Sequence, residues 1–338
     1  MDEEPAKLLT VVVPAYNSQD YLLGCLESIP MLPEIEVIVV DDGSSDSTEQ
    51  IARDFASGHE TVVRVISKPN GGHGSAINLG LAEARGRYLK ILDSDDHFDT
   101  QVAVELVDVI RIHSGVDLII TNFVYDKAGK LNKHAVHFRR ALPVGRVCAW
   151  DETKRFGAGD VLLMHSLCYR TELLRDMDFR LPEHTFYVDN LFAFIPLART
   201  KTLFYLDRDL YRYFIGRPDQ SVNEDVQLKR IQQQLKINRM MIDHLPEADG
   251  LPVPLWNYLV HYLGMVTAVS SVLLLRSGTA EHLRIKQQLW AEIEAKNPVA
   301  YSHLRYGLIG IALNLQGVLG RKASLQCYRM ARSIVGFN

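Results

Sequence analysis

The chain of 338 residues is long enough to form one large domain and a smaller appendage. Its 37 Lys and Arg nearly balance its 41 Asp and Glu, so no strong basic field favours nucleic acid as a partner. The four cysteines lack metal-ligand or redox spacing, and the acidic start MDEEPAK lacks the basic and apolar regions of a signal peptide. We therefore expect reduced thiols and a cytoplasmic protein.

Apolar, β-branched runs alternate with amphipathic segments through the first hundred residues. Pro14 stops the first run, and Asn17 or Ser18 could cap the helix after it, as Ser75 could cap a later one. The alternation predicts an α/β fold with a Rossmann-like, mostly parallel sheet and helices on both faces. Strands are predicted at residues 8–14, 35–40, 62–66 and 88–92, and helices at 18–28, 48–56 and 75–84.

Each of these four strands runs directly into a polar cluster. The carboxyl ends of parallel strands meet at one edge of the sheet, where ligands of such folds bind. Four loops with this chemistry on one edge are more specific than any single loop. The clusters are PAYN at 14–17, DDGSSD at 41–46, KPNGGHG at 68–74 and DSDD at 93–96.

The DSDD cluster places the carboxylates Asp93, Asp95 and Asp96 within four positions. Carboxylates this close repel one another unless a cation or hydrogen-bond donors balance them. A hard divalent ion would do so, and Mg²⁺ usually keeps coordination positions for water and phosphate. The alternative is an Asp N-cap followed by an acidic turn. The three other polar loops favour a metal and a phosphorylated ligand.

The remainder of the chain changes from mixed to helical near residue 225. We predict a first domain at 1–224, with its nucleotide-binding half at about 8–100 and its acceptor half at about 101–224, and a helical C-terminal region at 225–338. Within the first domain, 125–150 is either an excursion over the site or an edge hairpin. The other predicted elements are a helix at 101–112, a strand at 117–124, a short helix after 170, a loop and helix within 182–200, paired strands at 203–215 and a polar loop at 216–224.

The four motifs resemble glycosyltransferase family two, the nucleotide-sugar enzymes with a GT-A fold. The matching stretches are VVVPAYNSQDYLLGCLESI, VIVVDDGSSDST, PNGG with a later Asn, and LDSDD. They cover residues 9–100 in the family's order. A weaker resemblance continues through Tyr187–Asp189 and Leu210–Tyr213 and fades after about residue 225. It implies an inverting enzyme that uses Mg²⁺ or Mn²⁺ to move a sugar from a UDP-sugar or dTDP-sugar to an acceptor hydroxyl.

The resemblance assigns nucleotide-sugar contacts to all four loops. Asp42 matches the carboxylate that accepts the N3–H of a uracil-type base, while Asp41 orients the turn. The companion Arg of the family is replaced by Ile77, so His73 and Lys90 become candidates for polar contacts to the nucleotide or sugar. The other residues assigned to nucleotide-sugar binding are Pro14, Ala15, Tyr16, Asn17, Asn70, Gly71, Gly72, Asn78, Asp93 and Ser94.

The resemblance also assigns the metal and the base. Asp95 bridges the metal to the diphosphate, and Asp93 assists it. Asp189 matches the catalytic base, and Val188 replaces the preceding family Glu, which we expect to make Asp189 ionise more easily. Glu183 is the second candidate for the base, whereas His184 is expected to be a loop residue. Arg212, Arg217 and Gln220 lie on or beside a loop that could close over the diphosphate.

Two other function classes remain open. A nucleotidyltransferase would share the acidic sheet edge, but it should carry a basic glycine-rich phosphate loop where this chain has PAYNSQ. A non-catalytic relative would be expected to have lost Asp93, Asp95 or Asp189. The chain also lacks the QxxRW motif of processive polysaccharide synthases, which favours addition of a single sugar. The acceptor is expected to be a cell-surface glycan, a lipid-linked intermediate or a polyol-phosphate polymer.

The helical region raises the question of a membrane. Residues 255–275 carry no Asp, Glu, Lys or Arg, and about 20 apolar residues can span a bilayer. Polar residues such as His261 and Ser270 favour a buried helix instead. The stretch 306–338 combines Leu and Ile with basic residues and no acid. This pattern predicts either a lid and homo-oligomer contact or peripheral docking on the inner membrane face.

Overall fold

The computed structural model of the protein describes residues 6–127, 134–157, 159–215, 224–317 and 319–326. These residues divide into two compact units. The first unit runs to Lys154 and resumes at Leu162, and the second contains Arg155–Val161 and the helices that begin at Glu224. The sequence pattern does not indicate that Arg155–Val161 belongs to the helical unit.

The first unit is built on a mixed sheet whose strand order is β3-β2-β1-β4-β9-β6-β10-β5, with β7 beside β6 and β8 beside β10. β1 to β4 pair in parallel, as do β6 and β10, whereas β9 lies antiparallel between β4 and β6. The predicted α/β fold is therefore confirmed. The strands are β1 Leu9–Ala15, β2 Ile35–Asp41, β3 Val63–Ser67, β4 Tyr88–Ile91, β5 His97–Phe98, β6 Leu118–Lys127, β7 His134–Val136, β8 Val147–Ala149, β9 Leu167–Arg170 and β10 Thr202–Ile215.

The helices of the first unit connect these strands. β1, β2 and β4 are buried along their whole length, which their β-branched and apolar residues favour. A Cβ at Gly80 would overlap the side chain of Val12, so glycine allows α3 to pack closely on β1. The helices are α1 Leu22–Glu27, α2 Thr48–Ser57, α3 His73–Glu83, α4 Thr100–Ile112, α5 Thr171–Asp176 and α6 Asp189–Phe194.

Three local predictions are wrong in detail. The predicted strand pair at 203–215 is the single strand β10, whose register shifts on β6 between Leu206 and Tyr211, because a bulge accommodates the polar residues between them. α1 begins at Leu22 without a side-chain cap. α3 begins at His73 rather than after Ser75, because Gly72 adopts a φ of 84° and starts the helix earlier.

The second unit is helical. Among the described residues, α9 is the one helix that is long and apolar enough to cross a membrane, and 72% of its most apolar window is buried within the folded chain. Its polar residues bond to neighbouring helices, since Asn238 Nδ2 donates to Thr267 Oγ1 at 3.1 Å and Trp290 Nε1 donates to Ser271 Oγ at 3.1 Å. α9 is therefore the core helix of this unit. The helices are α7 Glu224–Lys229, α8 Ile231–Asp243, α9 Val253–Ser277, α10 Ala280–Lys296, α11 Pro298–Arg305 and α12 Leu308–Leu313.

Candidate functional site

Hydrogen bonds join the loops that follow β1 and β2. The backbone N–H of Asn17 donates to Ser44 Oγ at 3.0 Å, and the N–H of Ser45 donates to Asn17 Oδ1 at 2.8 Å. Asp41 orients the second loop as predicted, because its Oδ2 accepts from the N–H of Ser44 at 3.3 Å. The neighbouring Tyr16 side chain is exposed. The first two polar clusters therefore form one surface at the carboxyl edge of the sheet.

Asp42 joins the second loop to the glycine loop after β3. Its carboxylate is buried and accepts from Lys68 Nζ at 2.6 Å and from the N–H groups of Gly71 and Gly72 at 2.9 and 2.7 Å. Asn70 Nδ2 donates to the carbonyl of Asp42 at 2.9 Å. The sequence predicts a base contact for Asp42, whereas the structure gives its carboxylate the role of holding the glycine loop. The contact with a nucleotide base stays a prediction.

His73 connects the glycine loop to the DSDD cluster. As the first residue of α3, it places its Nε2 2.8 Å from Asp93 Oδ1. Burial lowers the pKa of His73, but the charge and hydrogen bond of Asp93 outweigh burial and raise it above the ordinary value. Burial raises the pKa of Asp93, but the charge and hydrogen bond of His73, among other contacts, lower it on balance. Each partner therefore favours the charged form of the other.

Asp189 completes this group at the start of α6. Its carboxyl interacts electrostatically with both His73 and Asp93. Burial raises the pKa of Asp189 above its ordinary value, and this effect and that of Asp93 exceed the lowering by His73. Replacement of the family Glu by Val188 removes one like charge from beside Asp189, but burial still keeps its pKa above the ordinary value; the comparison with a Glu at this position stays a prediction. A carboxylate with a raised pKa is a better proton acceptor.

The loop that precedes Asp189 is fixed to the glycine loop and to α3. Asn78 exchanges two hydrogen bonds with the backbone of Leu181, each 2.8 Å long, so its amide is structural and not directed at a ligand. The N–H of His184 donates to the carbonyl of Gly71 at 2.6 Å. Ser75 Oγ donates to Glu183 Oε1 at 3.2 Å. These contacts set the position of the candidate base relative to the DSDD cluster.

Tyr211 bonds to the DSDD cluster through the buried Asp96 and the backbone of Asp93. The Tyr211 hydroxyl donates to Asp96 Oδ2 at 2.7 Å and accepts from the N–H of Asp93 at 3.1 Å. The other Asp96 oxygen accepts from the N–H of Phe214 at 2.7 Å. Burial, together with Asp95 and Asp93, raises the pKa of Asp96 well above its ordinary value. Asp93 and Asp96 thus have pKa values shifted in opposite directions, which is typical of functional carboxylates.

His165 is the residue that sequence reasoning missed most clearly. It is buried, its ring lies 4.5 Å from that of Tyr211 and 4.3 Å from that of Tyr213, and its Nδ1 has no hydrogen-bond partner. Burial lowers its pKa to about 4, so the imidazole is neutral and can act as a ligand. No motif marks His165. The period of two along β10 places Tyr211 and Tyr213 on one face and could have identified the tyrosines.

One group of described side chains could hold a metal ion. Asp93, Asp96 and His165 each offer a ligand atom, and these atoms lie within 4.8 Å of one another. The set differs from the predicted pair of Asp93 and Asp95, although the half-buried Asp95 is near enough to shift the pKa of Asp96. Carboxylate oxygens suit Mg²⁺ or Mn²⁺, whereas an imidazole nitrogen is more typical of transition metals, so this donor set fits Mn²⁺ better than Mg²⁺. The orphaned Nδ1 of His165 fits this donor set.

Two predicted contacts with the nucleotide sugar are corrected. Lys90 is fully buried within β4, where its Nζ donates to the carbonyls of His165 and Leu167 at 2.8 and 3.3 Å, and burial lowers its pKa to about 8. Arg212 donates to Asp99 Oδ2 at 3.0 Å and is not a free cation for phosphate.

The remaining residues with predicted ligand contacts lie at the carboxyl edge of the sheet or outside the described residues. Pro14 and Ala15 are buried at the end of β1 and Ser94 is buried in the loop after β4, whereas Asn17 and Asn70 are exposed in the loops after β1 and β3. Arg217 and Gln220, predicted to cover the diphosphate, lie outside the described residues.

Residues 10–168 match the family described as Glycosyl transferase family 2. The predicted family resemblance is confirmed. The uncharacterized glycosyltransferase EpsJ of Bacillus subtilis (strain 168) is 29% identical over 215 residues, which cover 61% of this chain and 60% of EpsJ. Chondroitin synthase of Escherichia coli is 31% identical over 165 residues, which cover 44% of this chain and 24% of the synthase. The chain thus spans less than two thirds of either relative.

The solved structures include one that is similar over nearly the whole chain. TarS 1-349 of S. aureus, in complex with UDP-GlcNAc, has a TM-score of 0.70 at 19% identity, covering 96% of this chain and 92% of that chain. At this identity the likeness shows the fold, so the predicted GT-A fold is confirmed. The family match and the names of the relatives support a glycosyltransferase enzyme.

Proposed function

We propose that the protein is an inverting, metal-dependent glycosyltransferase that moves one sugar from a UDP-sugar or dTDP-sugar to an acceptor hydroxyl. The observation that carries this proposal is the meeting of His73, Asp93 and Asp189 at the carboxyl edge of the parallel strands. Sugar transfer needs a base for the acceptor proton and positive charge for the departing diphosphate. This group supplies candidates for the first need and for part of the second.

The DSDD cluster is proposed to hold the divalent ion. Asp93, Asp96 and His165 are the ligands that the geometry supports, with Asp95 beside them. Because the Asp96 oxygens already accept two hydrogen bonds, Tyr211 keeps this carboxylate oriented. Mg²⁺ or Mn²⁺ bound here would neutralise the charge that develops on a leaving nucleoside diphosphate.

Asp189 is proposed as the general base. Its carboxylate takes the proton of the acceptor hydroxyl while the acceptor oxygen forms the new bond to the anomeric carbon. The bond from that carbon to the diphosphate oxygen breaks on the opposite face, so the configuration inverts. The raised pKa of Asp189 supports this role, since a stronger base accepts the proton more readily. His73 bonds to Asp93, which orients that carboxylate, and its positive charge would act on Asp189 as well.

The donor and acceptor are proposed from chemistry and from relatives. The hydrogen bond between Ser45 and Asn17 joins the first two polar clusters, which supports a single surface for binding a nucleoside. The complex of TarS with UDP-GlcNAc supports a donor that carries uridine. The likeness to a chondroitin synthase supports an acceptor in cell-surface glycan or polymer synthesis, including lipid-linked and polyol-phosphate acceptors. We place the enzyme in the cytoplasm, where nucleotide sugars and such acceptors meet.

The test is to incubate the protein with a panel of UDP-sugars and dTDP-glucose, with Mn²⁺ or with EDTA, and to measure nucleoside diphosphate release. Release of UDP or dTDP that depends on Mn²⁺ is expected. A nucleotidyltransferase would instead release pyrophosphate from a nucleoside triphosphate and a sugar phosphate. A non-catalytic relative would bind UDP without turnover. Either result would overturn the proposal.

A further inference from the structure

The short helix α12 carries apolar side chains that are exposed among the residues that the structure describes. Its sequence, LIGIAL, contains no polar residue. Leu313 packs in a core cluster with Val272 and Leu275 of α9, so one face of α12 is buried. Leu308 on the opposite side is 90% exposed. A helix that is apolar all round is normally buried on every side, so these exposed side chains mark a candidate contact surface.

The exposed side chains continue beyond α12. We define the apolar end surface as Tyr306, Leu308, Ile309, Ile311, Leu315 and Leu319. Leu319 is 83% exposed, which is nearly as much as Leu308. α12 packs closely against the end of α11 at Gly310. A Cβ at this position would overlap the carbonyl oxygen of Leu304. Leu308, Ile309 and Ile311 of the apolar end surface therefore lie on a helix that is packed against α11.

The charge around the apolar end surface has one sign. Glu294 is the last acidic residue of the chain, and 295–338 contains no Asp or Glu. Arg305, Arg321 and Lys322 lie in the described residues next to the surface in sequence. The chain as a whole carries a net charge of −4, so this concentration of basic residues is local.

We propose that the apolar end surface docks the protein on an anionic lipid bilayer. Apolar side chains would enter the boundary between headgroups and acyl chains, while the arginines and the lysine contact lipid phosphates. A second copy of this chain fits less well, because a two-fold contact would bring the same basic residues together. The proposal does not depend on the enzymatic activity. It would place an enzyme of the proposed function beside lipid-linked acceptors.

The test is flotation of the full chain with vesicles of phosphatidylcholine alone or mixed equally with phosphatidylglycerol. The wild type is expected to float with the anionic vesicles and to detach as salt rises. The double variant Leu308→Ser with Ile309→Ser should reduce the floated fraction at least about tenfold. The control Ile112→Ser removes an apolar side chain that is 73% exposed on α4, and it should float like the wild type.

The variants change exposed side chains, so thermal unfolding should show that each is folded. Sedimentation velocity without vesicles tests the alternative that the apolar end surface joins two copies of the chain. A wild-type dimer that the double variant dissociates, together with no flotation, would show that the apolar end surface joins two copies. Flotation that the double variant retains, or that does not require anionic lipid, would also overturn the proposal.

Discussion

His73 Nε2 lies 2.8 Å from Asp93 Oδ1, so the first residue of α3 pairs with the first carboxylate after β4. The contact brings together two loops that are separate in sequence, in a chain that has Ile77 at the position of the family's companion Arg. Ile77 itself is fully buried and cannot supply that charge. His73 also acts electrostatically on Asp189. The relationship leads to a test based on pH.

His73→Ala should move the acidic limb of the rate against pH to higher pH. The imidazolium lowers the pKa of Asp189, so its removal raises that pKa and leaves the base protonated at pH values where it was ionised. The difference from wild type should vanish at pH values above the raised pKa of His73, where the ring is neutral. The measurement is kcat against pH with saturating Mn²⁺, and His244→Gln is the control at an exposed histidine. An unchanged acidic limb would show that His73 does not set the pKa of the catalytic base.

Asp189→Asn should retain donor binding and lose most of the transfer. Removal of a general base typically costs about 10²–10⁴-fold in rate. Glu183→Gln is the matched control, because Glu183 is exposed and its carboxylate accepts from Ser75 rather than facing Asp93. Single-turnover transfer and UDP affinity are the two measurements. If Glu183→Gln lowers the rate and Asp189→Asn does not, the base is Glu183.

Asn78→Ala should destabilise the first unit and slow transfer. The substitution removes two hydrogen bonds to Leu181, which together stabilise by about 1–3 kcal/mol. It also releases the loop that leads to Asp189, so kcat should fall while UDP affinity changes little. Thermal unfolding and steady-state kinetics test this. The control is Gln50→Ala, which removes one hydrogen bond to Asp54 Oδ1 at an exposed position of α2. If the free energy of UDP binding falls more than the free energy of unfolding, Asn78 contacts the nucleotide and its role is not only structural.

The sequence predicts the sheet and the meeting of its loops well, because both depend on local patterns. Buried β-branched runs and the polar clusters after them are readable without a structure, and Asp93 is found in this way. His165 could not be found, because it stands between Met164 and Ser166 without any periodic signal. It reaches the site only because β9 inserts antiparallel between β4 and β6. Such a long-range pairing leaves no trace in local sequence.

Roles of polar residues are less predictable than their locations. Asp42, Asn78 and Lys90 are all polar residues in or near the predicted loops, yet each bonds to the protein backbone. A motif shows that a polar side chain is present, but not whether a backbone group or a ligand satisfies it. Buried backbone groups require partners, and these side chains supply them. Their contacts with a nucleotide sugar therefore need direct measurement.

The most direct measurement of the central claim is calorimetric titration of UDP into the protein with and without Mn²⁺, for wild type, Asp93→Ala and Asp95→Ala. Asp93 belongs both to the predicted pair and to the group of ligand atoms within 4.8 Å. The account predicts that Mn²⁺ strengthens UDP binding to the wild type and that Asp93→Ala removes this gain, by at least about tenfold, or about 1.4 kcal/mol. Equal UDP affinity with and without Mn²⁺ in the wild type, or a full Mn²⁺ effect in Asp93→Ala, would contradict it.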